Sequence, residues 1–153
     1  SDSGYTSVAT QTVSITTTDN DTAAFTLSGT TGTVSCTTAT VSETGTTATF
    51  AVVLNTQPSS DVVISATSND TGEATVSPAQ LTFTNSNWNT AQTVTVTGVD
   101  DTAVDGAQTT AVTVSVVDGS SDNDYDPVAD STLTITTSDD DSTTTTTSPP
   151  ATT

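Results

Sequence analysis

The chain has 153 residues, of which 18 are acidic and none is lysine, arginine or histidine, so its formal net charge is -18. A polyanion of this kind repels nucleic acids and anionic lipid surfaces, which excludes both as partners, and no apolar run is long enough for membrane insertion. Without histidine or lysine to activate a nucleophile, the sequence predicts a protein that is not an enzyme.

The predicted elements are all short β-strands. In chain order they are residues 23–28, 33–42, 47–54, 61–67, 73–77, 80–84, 91–98, 109–117 and 129–138. Apolar side chains alternate with threonine or serine, as at Val94 and Val96, and this period of two is typical of strands with one buried face. More than a quarter of the residues are threonine, a β-branched residue that favours strands. The pattern predicts an all-β, immunoglobulin-like antiparallel β-sandwich.

The two ends of the chain repeat each other. Residues 1–21 match residues 121–141 at 11 positions without a gap. We therefore interpret 1–21 as the closing strand of a preceding repeat, or as a strand that joins a neighbouring subunit by β-strand addition. Residues 22–141 form the sandwich, and the Thr/Pro-rich residues 142–153 form a linker or tail.

Three segments carry a resemblance to a known family: VSETGTTATFAVVLN, VTVTGVDDTAVDGAQTTAVTVSV and TLTITTSDDD. In this order they resemble a Calx-beta domain, a family found in sodium/calcium exchangers, an integrin β subunit and many bacterial surface proteins. The resemblance implies a sandwich whose loops gather acidic residues around calcium at one pole. The residues that match the acidic motifs are Glu43, Asp100, Asp101, Asp105, Asp139, Asp140 and Asp141. The chain departs from the family pattern at Gly106 and Gln108, and Asp70 or Glu73 could add a ligand.

The residue types themselves favour the same metal. Calcium takes six to eight oxygen ligands in irregular loops, whereas magnesium demands a strict octahedron and is the second choice. Zinc, copper and iron sites of the usual nitrogen and sulfur type are excluded, because the chain has one cysteine and no histidine. The alternative is that the acidic ends are simply solvated turns. For a second acidic stretch we expect a solvated loop; it comprises Asp118, Asp122, Asp124, Asp126 and Asp130.

These features predict a calcium-stiffened structural repeat of an extracellular or cell-surface protein or filament, whose partners are neighbouring copies or repeats of itself. The alternative is a carbohydrate-binding adhesin module that recognises glycans through Trp88 and the nearby Asn85, Asn87 and Asn89. A lone tryptophan is more often packed over the edge of the core, which is the interpretation we prefer. Cys36 is expected to be a small buried residue, or else to form an intermolecular disulfide. The sequons at Asn20 and Asn69 and the Thr-rich tail permit glycosylation.

Overall fold

The protein is a sandwich of two β-sheets. The computed structural model describes residues 12–16, 20–31 and 37–142. The described residues form nine strands and one short 3-10 helix, Asp118–Ser120. The strands are β1 Phe25–Thr31, β2 Thr38–Ser42, β3 Thr47–Leu54, β4 Val62–Ser68, β5 Ala74–Ser77, β6 Gln80–Phe83, β7 Gln92–Gly98, β8 Gln108–Val116 and β9 Ser131–Ser138.

One sheet has the strand order β1-β3-β7-β5 and the other the order β2-β9-β8-β4-β6. Every pair is antiparallel except β2 with β9, which run parallel from Thr38 opposite Thr134 to Ser42 opposite Ser138. The prediction of an antiparallel β-sandwich is confirmed, with β2 and β9 as the one parallel pair among the described strands. Strand direction depends on which segments meet, and a period of two is the same for either direction.

The core fills the space between the sheets. Alternate residues of the strands face inward, so that Val94 and Val96 of β7 and Leu133 and Ile135 of β9 are at most 1% exposed. Phe50, Phe83 and Tyr125 are the bulkiest fully buried aromatic side chains. Trp88 packs partly buried against this core, as the preferred interpretation expected.

The strand predictions hold closely within the described residues. Residues 47–54 coincide with β3, and the predicted 129–138 begins at Ser131. Of the predicted strand 33–42, residues 37–42 are described, and they form a strand from Thr38 to Ser42. Residues 32–36, including Cys36, lie outside the described residues, as do 1–11, 17–19 and 143–153. The division into residues 1–21, 22–141 and 142–153 stays a prediction.

The strand directions bring nine of the chain's 18 acidic residues to one end. We call the end formed by residues 43–46, 69–73, 99–107 and 139–141 the acidic pole, and the end formed by residues 55–61, 84–91 and 117–130 the opposite pole. The acidic pole is where β2, β7 and β9 end and where β3, β5 and β8 begin. Loops that are distant in sequence therefore meet there.

Candidate metal centre at the acidic pole

The first acidic cluster joins the turn after β2 to the segment after β9. Glu43, Asp139 and Asp141 each offer a carboxylate oxygen, and these atoms lie within 4.8 Å of one another. The parallel pairing of β2 and β9 produces this convergence, because both strands end at the same pole and Glu43 N–H donates to the Ser138 carbonyl at 3.1 Å. Glu43 is only 2% exposed, so an acidic side chain is buried where the two strands end.

Backbone N–H groups satisfy part of this cluster. Asp139 accepts hydrogen bonds from the Gly106 N–H and the Asp141 N–H, both at 2.7 Å. Gly106 has a φ of 76°, which favours glycine and turns its N–H toward the carboxylate. The hydrogen bonds from these backbone donors lower the pKa of Asp139. Asp139 is therefore held in its charged form.

The other two members of the cluster are less well compensated. Burial raises the pKa of Glu43. The hydrogen bond from the Asp140 N–H lowers this pKa, and the charges of Asp139, Asp101 and Asp105 raise it further. Burial is also the main cause of the raised pKa of Asp141, and the charges of Asp139 and Asp140 raise this pKa further. The Oδ2 atom of Asp141 is buried without a hydrogen-bond partner among the described residues. A buried, unpaired carboxylate oxygen is costly unless a cation or proton meets it.

A second acidic cluster lies at the same pole. Carboxylate oxygens of Glu73, Asp101 and Asp105 lie within 4.8 Å of one another. Burial raises the pKa of Glu73, and the charges of Asp105, Asp70 and Asp101 raise it further. Its Oε2 atom is buried and, among the described residues, has no hydrogen-bond partner. Both clusters thus combine converging carboxylates with an unsatisfied buried oxygen.

Main-chain contacts hold the second cluster in place. The Glu73 carbonyl accepts hydrogen bonds from Val99 N–H at 3.0 Å and from the Thr137 hydroxyl at 3.1 Å. The Ala103 N–H donates to Asp101 at 2.6 Å, which closes the loop after β7 around that carboxylate. The cluster therefore links the loops that follow β4 and β7.

Gly98 permits the close approach of these loops. A Cβ atom at this position would overlap the backbone carbonyl group of Ser42, the residue before Glu43. The Gly98 N–H donates to the Thr46 carbonyl at 3.1 Å, which fixes the end of β7 against the turn that carries Glu43. Glycine is thus required where the two acidic loops are brought together.

The structure divides the seven predicted ligands. Glu43, Asp139 and Asp141 form one cluster, and Asp101 and Asp105 belong to the other with Glu73. Asp100 and Asp140 belong to neither cluster; both are exposed, although their charges help to raise the pKa of Asp141. Of the two additional candidates, Glu73 joins a cluster, whereas Asp70 accepts a hydrogen bond from Gly72 N–H at 3.0 Å. Five of the seven predicted residues thus lie in two adjacent clusters, and their role as metal ligands stays a prediction.

Asp122 at the opposite pole is a residue that the sequence interpretation missed. It was expected in a solvated loop, but it is 5% exposed and its Oδ2 accepts hydrogen bonds from Ser59 N–H, Ser59 Oγ and Ser60 N–H at 2.6, 2.7 and 3.0 Å. Its Oδ1 accepts from Asp124 N–H at 3.1 Å. The expectation of exposure holds for the other four members of that stretch, Asp118, Asp124, Asp126 and Asp130. The sequence signal that could have singled out Asp122 is the identical Asp2 at the matching position of the repeat.

A cavity of about 570 Å³ opens beside Asp122 and Tyr125. The Tyr125 hydroxyl is buried here and donates to the Thr56 carbonyl at 2.7 Å. Together with the bonds to Asp122, this contact fastens the segment before β9 to the loop between β3 and β4. Among the described residues, the opposite pole is therefore held by internal hydrogen bonds, which satisfy its buried carboxylate, Asp122.

Three of the four residues proposed for glycan recognition make internal contacts, whereas Asn89 is exposed. Trp88 packs against the core, and Asn87 Oδ1 accepts a hydrogen bond from Thr84 N–H at 2.6 Å. Asn85 donates through Nδ2 to the Pro58 carbonyl at 3.3 Å. These contacts explain the three residues as parts of the loop between β6 and β7, and they do not favour the carbohydrate-binding alternative.

Comparison with known proteins adds no family. The chain matches no protein-family model and no curated protein. Solved structures with a similar arrangement include SSP-19, an MSP-domain protein-like family member of Caenorhabditis elegans, at 14% identity and a TM-score of 0.46; 65% of this chain and 92% of that chain are covered. They also include WR4, a C. elegans MSP family member, at 8% identity and a TM-score of 0.43; 66% of this chain and 90% of that chain are covered. The Escherichia coli chaperone DraB has 10% identity and a TM-score of 0.48; 75% of this chain and 56% of that chain are covered.

Similarities this remote carry no argument about family or function. The likeness to Calx-beta domains therefore stays a prediction. The described part of the chain contains no helix that is both long and apolar enough to cross a membrane.

Proposed function

We propose that this protein is a non-enzymatic structural repeat or subunit of an extracellular, cell-surface protein or filament, and that calcium bound at the acidic pole stiffens it. One observation carries the proposal: Asp141 has a buried carboxylate oxygen without a hydrogen-bond partner among the described residues, within a cluster that also holds Glu43 and Asp139. The whole chain has no lysine, arginine or histidine that could neutralise the cluster. The compensating charge must come from outside or from a proton.

Calcium suits these ligands better than the alternatives. Its ligands are carboxylate, carbonyl and water oxygens in flexible geometry, and three converging carboxylates match that preference. Magnesium binds in a stricter octahedron and retains its waters, so it is expected to bind more weakly. The two clusters could hold separate ions, since each supplies its own three carboxylates.

Binding at these positions would act on rigidity. The first cluster ties the turn after β2 to the segment through which the chain leaves β9, and the second ties the loop after β4 to the loop after β7. An ion in each cluster would replace repulsion between loops with shared coordination. The segment leaving the sandwich would then hold a fixed direction toward whatever follows, and a mechanical role needs this property.

Catalysis is not part of the proposal. A serine, threonine or cysteine nucleophile needs an activating base, and the sequence supplies neither histidine nor lysine. An extracellular setting agrees with the absence of basic residues, which removes every cleavage site for trypsin-like proteases. Extracellular calcium modules bind at about 10⁻⁴ to 10⁻³ M, and this range sets the titration.

Asp141→Asn provides the test, because it should have opposite effects with and without metal. Without metal, burial and neighbouring charges raise the pKa of the Asp141 carboxyl, so its charged form destabilises the folded state. Neutral asparagine removes this charge, and the melting temperature should therefore rise above that of the wild type. With calcium it removes a ligand, so both the calorimetric heat of binding and the calcium-induced rise in melting temperature should fall.

The matched control is Asp126→Asn, which removes one exposed charge at the opposite pole. It should bind calcium like the wild type. Equal binding heats for the wild type and Asp141→Asn would reject the site. A melting temperature that calcium leaves unchanged in the wild type would reject the stiffening role.

A further inference from the structure

The position of β9 explains what a closing strand does in this fold. β9 lies inside its sheet, with β2 parallel on one side and β8 antiparallel on the other. Leu133 and Ile135 face inward and are both 0% exposed. Without β9 the edge strand β2 would lose its partner and the core would lose two central side chains. A unit of this kind therefore needs a closing strand in this position.

The described residues 12–16 have the sequence of such a strand without its burial. They read TVSIT, where residues 132–136 of β9 read TLTIT. Val13 and Ile15 occupy the positions of Leu133 and Ile135, but they are 79% and 82% exposed. They are two of three large apolar side chains described as exposed in the molecule. Exposed apolar residues on one face of a strand pattern indicate a surface that another molecule covers.

The flanking residues distinguish between two ways of covering it. Just before β9, Asp122 and Tyr125 anchor the chain to Ser59, Ser60 and Thr56. At the same offset of 120 residues, the sequence before residue 12 contains Asp2 and Tyr5. A strand added to the outer edge of a complete sheet has no use for these anchors. A strand in the β9 position needs both, since they hold the segment that leads into it.

We propose that residues 12–16 form the closing strand of another copy of this sandwich, which precedes this one in a tandem array. The strand occupies the β9 position of that copy, parallel to its β2 and antiparallel to its β8. Ile15 then takes the place of Ile135, opposite the residues that correspond to Thr110 and Ala39. This inference rests on the proposed role as a structural repeat, but it is independent of calcium.

The arrangement also explains how successive units connect. The closing strand of the preceding unit ends only a few residues before β1, which begins at Phe25 at the opposite pole. The acidic pole of one sandwich would therefore adjoin the opposite pole of the next. Asp21, the counterpart of Asp141, lines the cavity beside Asp122 and Tyr125, where such a junction would lie.

A fusion protein tests the strand assignment. Residues 22–120 are placed directly before residue 1 of the full chain, so that the added copy lacks β9 and residues 1–21 follow it at the natural spacing. Amide hydrogen exchange is then measured at residues 13–15 and at residues 133–135. We expect the amides of residues 13–15 to slow from free-chain rates to the rates of residues 133–135.

Two variants of the fusion sharpen the result. Val13→Asp combined with Ile15→Asp should abolish protection of the upstream copy, while the amides of Leu133 and Ile135 remain protected and show that the downstream copy is folded. Val13→Leu, which introduces the residue found in β9, should retain protection. Free-chain exchange at residues 13–15 in the unsubstituted fusion, or protection that survives the double aspartate substitution, would overturn the proposal.

The same measurement separates this inference from the calcium proposal. Exchange is recorded with saturating calcium and again with chelator. Protection of residues 13–15 under both conditions upholds the strand assignment even if calcium has no effect. Protection that rises with protein concentration in the unfused chain would assign the acceptor to a separate chain and refute the tandem arrangement.

Discussion

Replacing Asp122 by asparagine should cost the protein about 2 to 3 kcal/mol of unfolding free energy at neutral pH, because this carboxylate is the best-satisfied buried charge that the structure describes. Hydrogen bonds from Ser59, Ser60 and Asp124, led by the Ser59 side chain, lower the pKa of Asp122 from 3.8 to about 2. One pKa unit corresponds to about 1.36 kcal/mol, so lowering the pKa from 3.8 to about 2 is equivalent to about 2 to 3 kcal/mol. Asparagine nearly preserves the shape and removes the charge.

The pH dependence of this effect has a definite sign. The pKa of Asp122 is lower in the folded state, so its contribution is complete above pH 3.8 and is lost as the pH falls toward about 2. The difference between the wild type and Asp122→Asn should therefore be largest at neutral pH and should shrink in strong acid. Removing the charge of an exposed aspartate should not produce this pH-dependent difference in stability.

Urea denaturation of the calcium-free protein provides the assay, with Asp126→Asn as the exposed control. The control should stay within about 0.5 kcal/mol of the wild type, as is usual for surface substitutions. If Asp122→Asn also stays within that margin, the hydrogen bonds to Asp122 contribute no net stability and the reasoning fails. A difference that persists unchanged at pH 2 would show that its cause is packing and not charge.

Two further predictions concern the acidic pole. Gly98→Ala should destabilise the fold and weaken calcium binding, because the new methyl group overlaps the Ser42 carbonyl. Gly119→Ala serves as the control, because a methyl group there meets no atom within 4 Å. Equal melting temperatures for the two variants would contradict the close approach of Gly98 to Ser42. Without calcium, stability should fall as the pH rises through the raised pKa values of Glu43, Glu73 and Asp141, since the folded state then holds protons that the unfolded state has released. Urea unfolding between pH 4.5 and 8 checks this, and stability that increases toward neutral pH would disprove it.

The sequence predicted the strands well because each strand is governed by its own alternation. Residues such as Val94 and Val96, or Leu133 and Ile135, mark a buried face without reference to the rest of the chain. The choice of neighbours is a different matter. Nothing local in residues 38–42 indicates that they pair in parallel with residues 134–138, since that choice depends on how two distant segments meet.

The site was predicted in part for a similar reason. The acidic residues could be recognised by type, but the distribution of Asp101 and Asp139 between two clusters depends on the loop geometry around Gly98 and Gly106. Asp122 was assigned to a solvated loop because the spacing of the acidic residues around it lacks an EF-hand pattern. The donors that bury it, at Ser59 and Ser60, lie about 60 residues earlier in the chain.

The direction of β9 also determines how the molecule would respond to tension. The polypeptide enters the first strand at one end of the sandwich and leaves the last strand at the other. A pull on both ends would load the ladder between β2 and β9 in shear, so its hydrogen bonds would have to rupture together and not one after another from a free end. Such a geometry resists extension far better than one that opens like a zipper, and it would let a thread of these units transmit force along its length.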